Sequence, residues 1–196
     1  MLLSLKFEVP GPLIVPILTT LVFVEAFLGK RSWDSMGMEF GSKLHYLPLF
    51  AAFGLILNLM IIWILASVNG ERYRVDLPGV LQGLSTVPDF RVLLLFFVPS
   101  IIFQCVGEEV IFRGWMLNHL RPYFPRFLAA FLTSLVFAIG HLEIDLALFA
   151  VDFVVGMALC VIMFSSGGRI WNGVAFHFGF NIISNLTAIQ NWGGMY

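Results

Sequence analysis

Charge is what this 196-residue chain has least of. Only 12% of its residues are Asp, Glu, Lys or Arg, against about 25% in an ordinary soluble domain. With 59% hydrophobic residues, 21 Phe and a mean hydropathy of +0.92, most surfaces must face lipid or one another. A net charge of -1 and a pI near 6.4 leave no basic footprint for nucleic acid. Cysteine is scarce too. Cys105 and Cys160 sit in apolar runs without metal-ligand spacing and read as small core residues. No nucleophilic Ser or Cys motif, Gly-rich phosphate loop, redox pair, internal repeat or low-complexity segment is present. The first apolar run ends in Gly29-Lys30-Arg31 rather than a small-residue cleavage site, so it reads as a retained span.

What is present is a set of continuous apolar runs. A membrane barrel would alternate apolar and polar residues, so helices are the expected spanning element. The expectation is an all-α, polytopic membrane bundle of about six transmembrane helices. The spans fall at about Pro12–Leu28, Leu44–Val68, Val92–Asn118, Phe127–His141, Leu146–Phe164 and Ile170–Gln190. Leu44–Val68 contains no Asp, Glu, Lys or Arg across 25 residues, long enough to cross with tilt. Residues 69–91, with Pro78 and Pro88, read as an interfacial segment. Residues 1–91 then form an N-terminal two-span segment and 92–196 the core, within one membrane domain. Glu25, near the end of the first span, is expected to reach the interface. The loops at 29–43, 119–126 and 165–169 should share a side. They hold six cationic residues (Lys30, Arg31, Lys43, Arg121, Arg126 and Arg169), against four on the opposite side. That excess marks the first set as cytoplasmic.

The costliest stretch is Gly107-Glu108-Glu109-Val110-Ile111-Phe112-Arg113, which puts three charges inside an apolar helical run. Ionisable groups in a spanning helix usually face the protein interior and mark function. Residues four apart share a helix face and adjacent residues do not. Glu109 and Arg113 therefore pair, and Glu108 is left as a free carboxylate suited to general-base work. A purely structural charge cluster is the competing reading. Two later sites weigh against it: His141 ends Phe137-Ala138-Ile139-Gly140-His141, and His177 and Asn181 are four apart on one face of the last helix. Counted from the loops on the shared side, Glu108, His141 and His177 lie ~18, ~22 and ~12 Å deep at 1.5 Å per residue, all within the hydrocarbon. Asp152, mid-span in the fifth run, has no place in this set.

A carboxylate and an imidazole can activate water, while an imidazole and an amide can donate to the resulting oxyanion. That set suits amide hydrolysis. Alternatively Glu108, His141 and His177 can hold zinc with water as fourth ligand. Both mechanisms remain open on the residues alone.

The order E-E-x-x-x-R, F-x-x-x-H, H-x-x-x-N on successive spans resembles the CAAX prenyl protease and bacteriocin-processing (abortive-infection-like) family of intramembrane endopeptidases. The residues are Glu108, Glu109 and Arg113, then Phe137 and His141, then His177 and Asn181. The resemblance covers about 92–189, with a softer match in the loop from Arg31 to Met38. It implies a helical membrane fold with a cavity open to the bilayer. It also implies water activation by Glu108 and His141, oxyanion stabilisation by His177 and Asn181, and a supporting role for Glu109, Arg113 and Phe137. The implied partners are the lipid bilayer and a membrane-associated or prenylated protein or peptide substrate, with no nucleic acid. The implied cofactor is none, or zinc in the metal-dependent variant. The location is integral and multi-pass, in the plasma membrane if the host is bacterial. The alternative function is a non-catalytic scaffold or a bacteriocin self-immunity protein of the same fold. A transporter reading rests on buried charge alone, without the paired repeats such folds show.

Overall fold

The computed structural model describes residues 33–41, 44–69, 98–141 and 145–193, with further positions at 20–22, 24–25, 28–29, 78 and 95. The expected start of the first span, the segment 70–91 apart from residue 78, the start of the third helix at Val92 and the break at 142–144 lie outside the described residues. Every described element is helical. A short 3-10 turn at Trp33–Met36 and another at Leu44–Tyr46 lead into α1 (Leu47–Asn69). Helix α2 (Val98–Glu109) runs without a break into a π-helical segment, Val110–Leu117, and closes with an α-turn at Asn118–Leu120. Then come α3 (Arg126–Gly140), α4 (Leu146–Ser165) and α5 (Trp171–Gly193).

The sequence boundaries hold to within a few residues for α3, α4 and α5. Asp145, from the polar break, caps α4 by accepting from the Ala147 amide at 2.8 Å. Among the described residues, two segments are long and apolar enough to cross a bilayer: Leu44–Val68, with a mean hydropathy of 2.5, and Leu146–Ser165, with 2.6. In the first only 11% of the scored window is buried. A soluble core helix would be mostly covered, whereas this one turns Leu49, Ile56 and Trp63 outward, as lipid contact requires.

Three loops meet at one end. The Ile170 amide donates to Gly37 O at 3.0 Å, Trp171 Nε1 to Met38 O at 3.0 Å and Asn118 Nδ2 to Ser35 O at 3.0 Å. Arg169 reaches Glu39 at 3.2 Å. The loops around 33–41, 118–126 and 165–171 thus share an end. Helices α1, α3 and α5 leave that end, and α2 and α4 return to it.

Helix α5 packs along α1, where Phe53 meets Phe176 at a ring separation of 5.6 Å. Without water between helices, close packing at small residues drives association in lipid. Gly54 and Gly179 supply it: a Cβ at Gly54 would overlap the Phe176 carbonyl, and one at Gly179 the Ala51 carbonyl. Gly179→Leu must push the two helices apart. It is expected to cost about 3 kcal/mol or more, read as a lowered thermal midpoint of the purified protein. Ile56→Leu on the outward face should leave the midpoint unchanged.

Candidate active site

The charged stretch folds into a buried polar string. Arg113 and Glu109 are fully covered (0% exposed), with Arg113 Nη1 donating to Glu109 Oε1 at 3.0 Å. The four-residue spacing thus gives the expected pair. Arg113 Nη2 also donates to the Gly156 carbonyl on α4 at 3.1 Å. The guanidinium lies 4.6 Å from the centroid of the Phe137 ring on α3, a cation–π contact that is strong when desolvated. One arginine therefore joins three helices.

His177 extends the string from α5. Its Nδ1 is 3.1 Å from Glu109 Oε1, and its Nε2 is 3.5 Å from Glu108 Oε2. A carboxylate already taking a guanidinium N–H acts as acceptor, so Nδ1 carries the hydrogen and Nε2 faces Glu108. Glu109 is thus more than the partner of Arg113, because it also sets the orientation of His177. Gly173 makes room for this approach, since a Cβ there would come within 2.9 Å of Glu109 Oε2. On the other side Gln104, one turn before Glu108, donates to Glu108 Oε1 at 3.0 Å. Glu108 Oε2 is buried and takes no hydrogen bond from a described residue. Two carboxylates and one imidazole thus meet around one guanidinium.

His141 caps the end of α3 and is exposed. Its Nδ1 is 2.8 Å from the Phe137 carbonyl. A carbonyl only accepts, so Nδ1 is the N–H and Nε2 keeps its lone pair. His141 makes no hydrogen bond to Glu108; it is linked to His177 instead by Phe137, whose ring is 4.5 Å from that of His141 and 5.9 Å from that of His177. Asn181 follows one turn after His177 and is half-buried, as is Asp152 on α4. The candidate zinc ligands Glu108, His141 and His177 are not assembled. Among the described residues no three His, Cys, Asp or Glu side chains are grouped to hold a metal ion.

Gln104 could have been found from sequence, since it obeys the same four-residue spacing as Glu109 and Arg113. The Gly156 carbonyl and the His177–Glu109 contact span 43 and 68 residues and carry no local signal. Glu25 is half-buried and accepts from Trp115 Nε1, in the π-helical segment, at 3.0 Å, a contact without local signal. The first helix is thereby tied to the segment that carries Arg113. Such wide turns inside α-helices are frequent at functional sites.

No curated protein and no solved structure matches the chain. Residues 90–183, which include every member of the polar string, match the family model for type II CAAX prenyl endopeptidases, Rce1-like.

Proposed function

Since the chain belongs, through residues 90–183, to the Rce1-like family of type II CAAX prenyl endopeptidases, an integral-membrane protease family, we propose that it is an intramembrane peptidase that cuts a membrane-associated, prenylated protein or peptide near its C-terminus. The observation that carries this reading is the buried contact of Glu108 and His177, each backed by a second residue: Gln104 behind the carboxylate and Glu109 behind the imidazole. Groups held in this way keep their direction without reorganising during reaction.

In the proposed mechanism Glu108 Oε2 takes a proton from water as its oxygen bonds to the substrate carbonyl carbon. The lone pair of His141 Nε2 assists at the open side. His177, held in place by Glu109, and the Asn181 amide stabilise the developing oxyanion. The C–N bond then breaks and the amine leaves with the proton that Glu108 had taken. Arg113 and Phe137 hold Glu109 and the two histidines in place. We also read six spans. The support is the alternating direction of α1 to α5, and the helical positions that precede the turn at Gly29, whose amide donates to Glu25 O at 2.8 Å.

The test is cleavage by the purified protein in detergent of a prenylated C-terminal peptide, beside the same peptide without the prenyl group. The original chain should cut the prenylated peptide preferentially. His177→Ala and His141→Ala should each lose about 10²-fold or more of the rate. Equal cleavage by all three proteins would remove both histidines from the chemistry. Equal cleavage of the two peptides would remove the prenyl group from recognition.

A further inference from the structure

The strongest feature outside the polar string is at the end where the three loops meet. Arg121 and Arg126 flank a turn containing two prolines, and both are exposed. Both guanidiniums lie against the same ring, that of Phe164, at 5.6 and 6.0 Å from its centroid. Phe164 belongs to the last turn of α4, one of the helices long and apolar enough to cross a bilayer. The two charges are therefore held at the end of that apolar helix.

Among the described residues neither charge is neutralised. Arg121 donates only to the neutral Asn118 Oδ1, at 3.3 Å, and among the described residues no carboxylate pairs with either arginine. Arg169, at the same end, differs in having Glu39 at 3.2 Å. Two like charges converging on one ring repel each other unless an anion bridges them. Guanidinium recognises phosphate oxygens in a planar, bidentate manner. Beside the pair, Tyr123 and Phe127 are 81% and 72% exposed, as aromatic side chains are at headgroup level.

We propose that Arg121 and Arg126, held over Phe164, bind the phosphate of an anionic phospholipid. Free phosphate would satisfy the same guanidiniums but has no use for the aromatic and apolar surface beside them. That surface suits the glycerol and upper acyl chains of a lipid, and it assigns the site to the lipid.

The test is native mass spectrometry of the full chain, titrated with phosphatidylglycerol or with phosphatidylcholine. The original protein should prefer phosphatidylglycerol. Each arginine should contribute about fivefold, so that R121Q/R126Q loses about 25-fold in phosphatidylglycerol affinity with unchanged phosphatidylcholine binding. R169Q should change little, because Arg169 is already paired. Circular dichroism checks that the variants fold. If the double glutamine variant does not, R121K/R126K replaces it: charge is kept and the planar fork lost, and binding should fall a few-fold. Excess inorganic phosphate should leave the lipid bound. Equal phosphatidylglycerol binding by the original and R121Q/R126Q, or equal binding of the two lipids, overturns the proposal. Displacement of the lipid by inorganic phosphate would mark a free-anion site instead. Displacement by a peptide through its C-terminal carboxylate would make the pair part of substrate recognition. None of these readouts depends on peptidase activity, so the lipid site stands or fails separately from the proposed reaction.

Discussion

Glu108→Gln should lower peptide hydrolysis by about 10²–10⁴-fold, the usual contribution of a positioned general base, while the protein stays folded. The substitution keeps the shape of the side chain and leaves an oxygen to accept from Gln104, now at 3.0 Å from Glu108 Oε1. It removes the carboxylate oxygen that faces His177 Nε2 at 3.5 Å. Burial makes the change informative, because Glu108 is only 3% exposed and bulk water has little access to substitute for the missing base. Thermal midpoint and rate measured on the same preparation separate the two effects. Full activity in the glutamine variant would take Glu108 out of the proton-accepting role, whatever its stability.

Arg113→Met should act in the opposite way, on stability first. It strips Glu109 of its guanidinium and the Gly156 carbonyl of a donor, in a place where neither finds water. Removing one partner of a buried ion pair costs about 3–5 kcal/mol, whereas replacing both by apolar residues is often neutral. The double variant Glu109→Leu/Arg113→Met should therefore recover most of the thermal midpoint lost by Arg113→Met alone. It should not recover activity, because His177 has also lost the carboxylate that holds its Nδ1 at 3.1 Å. A double variant as unstable as the single one would mean that the pair is not the source of the loss. One that is stable and active would show that Glu109 does not orient His177.

The parts of this architecture legible in the sequence are those set within one helix or by counting helices. Glu109 and Arg113 met because they are a turn apart. The turn at 165–169 and the apolar run at Leu44–Val68 stand out by composition, and an even count of helices between the loops places them at one end. The illegible parts depend on register between helices. Nothing near His177 says that its ring reaches Glu109 as well as Glu108, since that follows from how α5 slides along α2. His141 could be placed at the end of its helix, but not its turn back to the Phe137 carbonyl. The π-helical winding of Val110–Leu117 has no local cue, because the same residues suit an α-helix. Gln104 obeys the four-residue spacing, but a neutral side chain in an apolar run does not advertise itself as charge does.

The spacing of the polar string also bears on how the chain is made. Arg113 precedes its acceptor on α4 by 43 residues, and Glu109 precedes His177 by 68. At about 5–20 residues per second, the latter gap is roughly 3–14 s of synthesis. A helix entering the membrane with three naked charges would be held back during that interval. Here the first contacts it makes are its own: Arg113 with Glu109, and Gln104 with Glu108, each four residues apart. Both contacts lie within one helix, so these groups have partners before α4 and α5 are made.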